Sequence, residues 1–244
     1  MLRAADKRRQ IGKPLGAVFG PDNPLPVTAN LQAWYDCSDV ATLTIVSNKV
    51  SQWDDKSGNG FNLTQGTAGT RPLYDGTPRT IKGVIVPEFA GAQYMSSSCP
   101  ADDRTSTTFV AYVQDSSATS NWQLYGSSSS GGLGIRLEVT TARWRTLKDG
   151  VSFLTNTQLA FPGNCVFCHR LTGTTIEQNF MGNTYVISES TALTASTTLR
   201  LGSESSGTVF WDGLIAEFIR YSTTLSDSDM AAVQSYLFRK WFVT

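Results

Sequence analysis

The chain has 244 residues, and its 20 basic and 20 acidic side chains give a formal net charge of zero. Only 16% of the residues are charged and 11% are aromatic, which is typical of a soluble β-sandwich and argues against a nucleic-acid or other polyanion binder. No run approaches the roughly 18 consecutive apolar residues of a membrane span, and no apolar secretory signal follows the basic N-terminus. We therefore expect no membrane span and no ordinary secretory route.

Residues 1–27 are predicted to form an extended basic arm, because prolines and glycines interrupt them and no helix or strand pattern is present. This segment carries five basic residues against two acidic ones. One interpretation is a solvated tail, and the other is an arm that is ordered against a partner chain. In the second interpretation the predicted contact residues are Arg3, Lys7, Arg8, Arg9, Lys13 and Phe19.

From residue 28 onward, short strand patterns alternate with turn signals. The first half contains predicted strands at Leu31–Asp36, Val46–Asp55, Phe61–Gln65, Val84–Phe89 and Gln93–Met95. Gly58 and the Asn59-Gly60 pair supply the positive φ angles of a tight corner between two of them.

The middle of the chain continues with predicted strands at Thr107–Val113, Trp122–Tyr125, Gly134–Val139, Ala142–Leu147, Cys165–Leu171 and Thr174–Met181. Turn signals recur every 8–12 residues or so, which indicates an all-β sandwich or jelly roll. We predict one domain over residues 28–244, built as a two-sheet antiparallel jelly-roll sandwich.

The last fifth of the chain predicts a buried strand followed by one closing helix. Phe210–Tyr221 is apolar on both faces, with Leu214, Ala216 and Phe218 expected on one face and Ile215, Glu217 and Ile219 on the other. Ser226 is a candidate N-cap, and Leu225 with Met230 forms a candidate hydrophobic staple. An apolar stripe at helical spacing then predicts a helix over about residues 226–241.

Residues 30–96 and 197–241 resemble the laminin G-like branch of the concanavalin A-like lectin and glucanase sandwiches. The resemblance is carried by Leu31–Asp36, Trp53–Gly60, Arg71-Pro72, Asp212–Tyr221 and Leu225–Trp241. It implies a concanavalin A-like fold with one C-terminal helix. The family is functionally broad, so the resemblance implies much about the fold and little about the ligand.

Cys165 and Cys168, followed by His169, match the haem-attachment pattern C-x-x-C-H. Residues three apart in a strand point to opposite faces and lie roughly 10 Å apart, which suits neither a shared haem, a zinc ion nor a mutual disulfide. We therefore interpret the pair as packing residues. Cys37 and Cys99 are likewise interpreted as small buried residues, with a disulfide between them as the alternative.

Calcium is the ion that the sequence allows, and no other cofactor is expected. Loop carboxylates at strand ends form the candidate ligand set, Asp36, Asp39, Asp54 and Asp55. The alternative is that Asp54 and Asp55 brace the corner at residues 57–60 through hydrogen bonds to the backbone.

Sugar binding and sugar cleavage are the two carbohydrate functions that the family raises. An exposed aromatic side chain beside polar groups is the usual sugar platform, and the candidates are Trp122, Tyr125 and Trp144. The glucanase branch of the family uses carboxylates that alternate along one strand. No such alternation is present around Glu138, Glu177, Glu189 or Glu217, so we expect no enzyme.

The resemblance and the missing signal together imply a non-catalytic bacteriophage virion surface protein, made in the host cytoplasm and attached through its N-terminal arm. Such a capsid decoration, head-fibre or tail component would contact capsid or tail proteins and form homo-oligomers in the assembly. Two alternatives remain open. One is an adhesin that binds host-surface glycan, and the other is a glycoside hydrolase.

Overall fold

The fold is described from a computed structural model, which covers residues 24–100, 105–115, 122–127, 134–138, 143–148, 151–154, 164–180, 183–188, 197–204 and 208–243. The predicted contact residues of the arm, Arg3 to Phe19, lie outside these ranges, so their role stays a prediction.

Seven antiparallel strands form the first sheet. They are β1 (Leu31–Asp36), β7 (Glu88–Ala90), β9 (Thr105–Gln114), β14 (Asn164–Thr172), β15 (Thr175–Phe180), β16 (Asn183–Ser188) and β18 (Asp212–Tyr221). Their order is β1-β18-β9-β14-β15-β16, and β7 pairs with the start of β18 on the same edge as β1.

Nine antiparallel strands form the second sheet. They are β2 (Leu43–Val46), β3 (Lys49–Trp53), β4 (Leu63–Thr64), β8 (Met95–Ser97), β10 (Trp122–Ser127), β11 (Gly134–Glu138), β12 (Arg143–Lys148), β13 (Val151–Leu154) and β17 (Leu199–Leu201). Their order is β13-β12-β11-β10-β17-β8-β4-β3-β2. A separate hairpin pairs β5 (Thr80–Ile81) with β6 (Val84–Ile85).

The two sheets face each other across a core of aromatic and aliphatic side chains. Phe218 of β18 packs edge-on against Tyr125 of β10, with 5.6 Å between ring centroids, and also contacts Tyr35 of β1. Tyr35 in turn contacts Trp53 of β3. The predicted antiparallel sandwich is confirmed at this level of detail.

One α-helix among the described residues, α1 (Asp227–Trp241), covers the outer face of the first sheet. Ser226 is its N-cap, and its Oγ accepts a hydrogen bond from the backbone N–H of Asp229 at 3.2 Å. The predicted cap and the predicted closing helix are therefore confirmed. This helix is too short and too polar to span a membrane.

A β-bulge in β18 changes which side chains share a face. The pairing of β18 with β9 shifts between Ile215 and Glu217, so the alternation is interrupted there. Leu214 lines the same cleft as Trp241, and Trp241 donates a hydrogen bond to Glu217. The prediction that Leu214 shares a face with Phe218 is therefore wrong, because the extra residue shifts the period by one.

The end of the predicted arm packs on the sandwich. Leu25 is only 5% exposed and Val27 packs against the same core. The backbone carbonyl of Val27 accepts a hydrogen bond from the Tyr221 hydroxyl at 2.8 Å. Leu25 and Val27 therefore belong structurally to the sandwich rather than to an extended arm.

Candidate functional site

Among the described residues, the helix-facing side of the first sheet carries an ion-pair cluster at the start of α1, where Arg170 holds Glu177 and Asp227, and two further clusters of carboxylates. One is centred on Lys240 and is closed to solvent. The other is centred on Arg79 and borders a cleft. The exposure of the side chains decides which of these two clusters a ligand can reach.

In the closed cluster, the Lys240 ammonium lies 2.8 Å from Asp36 Oδ1 and 2.8 Å from Glu217 Oε2. Glu217 also accepts hydrogen bonds from the indole N–H groups of Trp34 and Trp241, each at 2.8 Å. Glu217 is 0% exposed and Asp36 is 1% exposed.

The two buried carboxylates differ in their electrostatics. Burial raises the pKa of Glu217, and the negative charge of Asp36 raises it further. Burial is also the largest single influence on Asp36, but the charge and hydrogen bond of Lys240, the hydrogen bond of Ser38 and the charge of Lys56 together outweigh it and lower the pKa of Asp36. The closed cluster is not accessible to solvent, and it joins α1 to β1 and β18. Glu217 therefore has the structural role that the sequence predicted.

In the open cluster, Arg79 holds two carboxylates from different strands. Its guanidinium pairs with both oxygens of Asp115, at 2.5 and 2.6 Å, and with Glu88 at 3.1 Å. One nitrogen, Nη1, contacts both residues, so Arg79 holds the two carboxylates side by side. The side chains are 22–33% exposed, so solvent reaches the cluster.

Asp212 is the third carboxylate of this cluster. It begins β18, between Glu88 on β7 and the end of β9, and its backbone carbonyl accepts a hydrogen bond from the Asp115 N–H at 3.2 Å. Partial burial raises the pKa of Asp212, the Asp115 charge raises it further, and Arg79 lowers it only in part. A carboxyl group with a raised pKa therefore lies beside one that is ion-paired with Arg79.

Gly213 lets the strands approach closely at this point. Its φ is +139°, and a Cβ atom built there would lie 2.2 Å from the Val113 carbonyl oxygen. Only glycine fits this position, because any side chain would push β18 away from β9. The residue after Asp212 thus fixes the spacing between Asp212 and Asp115.

Arg79 also lies between two clefts. The larger, about 440 Å³, is bounded by the β5–β6 hairpin, the first sheet and the end of α1, and is lined by Arg79, Thr80, Ile81, Lys82, Val113, Leu214, Trp241 and Phe242. The smaller, about 130 Å³, includes Glu88, Tyr74 and Asp75 in its lining. The larger volume is within the range of small-molecule sites.

The predicted calcium ligands are not gathered into one site. Asp36 belongs to the closed cluster, and it shares the Lys56 ammonium with Asp39, at 3.2 and 3.0 Å, so a lysine lies between these two carboxylates. Asp54 accepts a hydrogen bond from the Gln52 side chain at 2.6 Å. Asp55 accepts backbone N–H bonds from residues 34, 57 and 61, which is the bracing role weighed as the alternative. Within the described ranges, no group of three or more potential ligands could hold a metal ion.

The predicted sugar-binding aromatics are only partly described. Tyr125 is 2% exposed, and its hydroxyl pairs with His169 Nδ1 at 2.9 Å, so its ring is part of the core and offers no surface platform. The side chains of Trp122 and Trp144 lie outside the described residues, and their role stays a prediction.

All four cysteines are buried thiols outside any disulfide, as the interpretation of packing residues requires. Cys165 lies opposite Tyr112 and Cys168 opposite Phe109 in the pairing of β14 with β9, so the two thiols are three strand positions apart. Burial raises the pKa of Cys165 to about 12 and that of Cys168 well above its ordinary value. Neither thiol is set up to bind a metal ion.

The open cluster was missed at the sequence level. Its members come from four separate segments, at Arg79, Glu88, Asp115 and Asp212. Carboxylates that meet across three neighbouring strands leave no alternation along any one of them. Two local patterns could have drawn attention to the cluster. They are the glycine that follows Asp212 and the proline that precedes Glu88, and neither pattern indicates which distant residue lies nearby.

Solved structures of glycosidases have a similar fold. A mutant GH54 α-L-arabinofuranosidase soaked with 4-nitrophenyl α-L-arabinofuranoside aligns with a TM-score of 0.64 at 14% identity, over 79% of this chain and 51% of that chain. An arabinofuranosidase complexed with arabinofuranosyl-α-1,2-xylobiose aligns with a TM-score of 0.62 at 15% identity, over the same shares. Trypanosoma rangeli sialidase with the inhibitor DANA aligns with a TM-score of 0.59 at 11% identity, over 86% and 33%.

The chain thus spans about half the length of the arabinofuranosidases and about a third of the sialidase. No protein-family model matches the sequence, and no curated protein sequence matches it. At these identities the likeness shows a shared β-sandwich fold.

The prediction of a non-catalytic bacteriophage virion surface protein is wrong in the light of these comparisons. The solved structures that share the fold include glycosidases, in line with the alternative of a glycoside hydrolase. The argument against an enzyme was that no strand carries alternating carboxylates. That argument fails because carboxylates here converge from neighbouring strands beside a cleft.

Proposed function

We propose that this chain is a carbohydrate-active sandwich that hydrolyses glycosidic bonds at the open cluster of Glu88, Asp115 and Asp212. The observation that carries the proposal is the raised pKa of Asp212 beside the ion-paired Asp115, at the margin of a cleft. Pairs of carboxyl groups whose environments separate their pKa values are the usual acid and base of glycoside hydrolysis. The similarity to glycosidase folds supports this reaction class.

In this proposal Asp212 is the general acid. Its raised pKa keeps a proton available for the oxygen of the leaving group. Asp115, ion-paired with Arg79, supplies the second carboxylate, which accepts a proton from the water molecule whose oxygen bonds to the sugar carbon as the glycosidic bond breaks. Arg79 fixes the orientation of Asp115 through its two parallel hydrogen bonds.

The larger cleft is the proposed sugar seat. Val113, Leu214 and Phe242 offer apolar surface to the faces of a sugar ring. Thr80 and Arg79 on the hairpin side offer polar groups for its hydroxyls. This combination of apolar lining with a few polar groups is typical of small-ligand sites.

The test is a cleavage assay on the purified full chain. The substrates are 4-nitrophenyl α-L-arabinofuranoside, an aryl sialoside and a panel of plant and bacterial polysaccharides. We expect release from at least one of them, and we expect Asp212→Asn to lower kcat by about 10²–10⁴-fold because the general acid is lost. Binding of the same substrate should be retained in this variant.

Asp227→Asn is the matched control, since Asp227 is 87% exposed and lies at the opposite end of α1 from the cleft. It should leave cleavage unchanged. Cleavage that is equal in Asp212→Asn and wild type would refute the assigned site. Binding without cleavage in the wild type would instead place the chain among glycan-binding sandwiches.

A further inference from the structure

A buried arginine lies on the opposite side of the first sheet from the open cluster. Arg220 follows Phe218 by two positions in β18, so its side chain points between the two sheets. It is 0% exposed. Its Nε donates to Gln32 Oε1 at 2.8 Å and its Nη1 donates to Thr108 Oγ1 at 3.0 Å.

The remaining nitrogen of Arg220 has no partner. Nη2 is buried and makes no hydrogen bond, and the guanidinium forms no ion pair with any residue in the described ranges. Gln32 and Thr108 are neutral, so they accept hydrogen bonds from Arg220 but do not neutralise its positive charge. A buried charge without compensation is costly, and proteins almost always pair it.

Among the described residues, the inward-facing neighbours of Arg220 along the row of the sheet are polar but uncharged. His169 lies one strand beyond Thr108 in the same row of the sheet, and Gln178 lies one strand further. Burial, helped by the charge of Arg220, lowers the pKa of His169 to about 3, so this ring is neutral. Neither side chain brings a negative charge to the space between the sheets.

From the buried, half-satisfied guanidinium, we infer that Arg220 binds a small monovalent inorganic anion of halide size between the two sheets. The anion accepts the Nη2–H bond and neutralises the guanidinium. The site differs from the open cluster in its position, since Arg220 points inward and Arg79 lies on the outer side of the sheet. It also differs in charge, since the open cluster carries more acid than base.

Bromide is the probe for this site, and the full chain is the sample. The melting temperature is measured in sodium bromide and in sodium gluconate at the same ionic strength of about 0.2 M, where surface charges are largely screened. Gluconate is the comparison anion because it is far larger than a halide ion. We expect wild type to melt about 2–4 °C higher in bromide.

Two variants separate a specific site from a general salt effect. Arg220→Met should lose the difference between the two salts. Arg170→Met should retain it, because Arg170 on the neighbouring strand β14 already pairs with Glu177 and Asp227. Equal melting of the wild type in both salts, or an equal difference in Arg220→Met and wild type, would overturn the inference.

A crystal soaked in bromide gives a second readout that does not depend on the variant folding. An anomalous peak beside Arg220 Nη2 is the expected result. Bromide found only on the surface, or an ordered water with no anomalous signal beside Nη2, would also overturn the inference.

Discussion

Lys240 makes α1 dependent on a single buried cation. Its ammonium is 4% exposed and lies between two carboxylates, with Asp36 on β1 and Glu217 on β18. The positive charge is what makes it tolerable to bury both carboxylates together. Removal of one partner from such a group is far more costly than removal of a surface pair.

We predict that Lys240→Met lowers the free energy of unfolding by about 3–5 kcal/mol at neutral pH. Without Lys240, burial and the negative charge of Asp36 raise the pKa of Glu217 further above its value in the unfolded chain. The native state then binds more protons than the unfolded state, so stability should increase as the pH falls from 7 to about 5. Denaturant unfolding at several pH values measures this slope.

Arg239→Met is the control, since Arg239 is exposed and adjacent in sequence. It should change stability by less than about 0.5 kcal/mol at every pH. A Lys240→Met protein that loses stability on acidification from pH 7 to 5 would show that the carboxylates are not buried together.

At the residue scale, the sequence predicted roles for side chains that act alone or on the local backbone. Glu217 in the closing strand and Asp55 at the Gly-rich corner were assigned structural roles, and the structure gives them these roles. Asp212 was not predicted, because its pKa depends on Asp115 and Arg79, which lie far away in the chain.

At the element scale, the docking of α1 depends on its two ends. We predict that Ser226→Ala lowers stability by about 1 kcal/mol through the loss of the N-cap. Trp241→Ala should cost about 3–5 kcal/mol, because Trp241 is 1% exposed and donates to Glu217. Thermal melting of each variant measures both effects. A wild-type melting temperature for Trp241→Ala would show that the helix end is not packed on the sheet.

The arm gives a second prediction at this scale. Deletion of residues 1–23 should leave the melting temperature within about 2 °C of the full chain, since prolines and glycines interrupt this segment and its sequence predicts no helix or strand. Deletion of residues 1–27 should destabilise the fold by about 1.5–3 kcal/mol, because it removes Leu25 from the core. It also removes the acceptor of the Tyr221 hydroxyl. Equal stability of the two truncations would contradict this boundary.

Elements were easier to predict than their details. The cap, staple and apolar stripe of α1 are local signals, and they located the helix to within one residue. The bulge in β18 has no such signal, since Ile215, Ala216 and Glu217 read as ordinary strand residues. Because of the bulge, Leu214 faces the cleft. A strand in which side chains alternate without interruption would place Leu214 on the other face.

At the scale of the whole molecule, the sandwich was predictable and its function was not. Alternating patterns and frequent turns require two sheets that bury their inner faces against each other. The same fold supports binding, structural and catalytic proteins, so a resemblance in the strands implies little about the site. The open cluster exists only because β7, β9 and β18 lie side by side.

The pH dependence of cleavage tests the central claim most directly. It is measured as kcat/KM for the best substrate in wild type and in Asp212→Asn. A general acid must be protonated, so wild-type activity should fall as the pH rises through the pKa of Asp212, above the ordinary aspartate value of about 3.9. The variant should lose this limb together with most of its activity. An alkaline limb that is unchanged in Asp212→Asn would contradict the assignment of Asp212 as the acid.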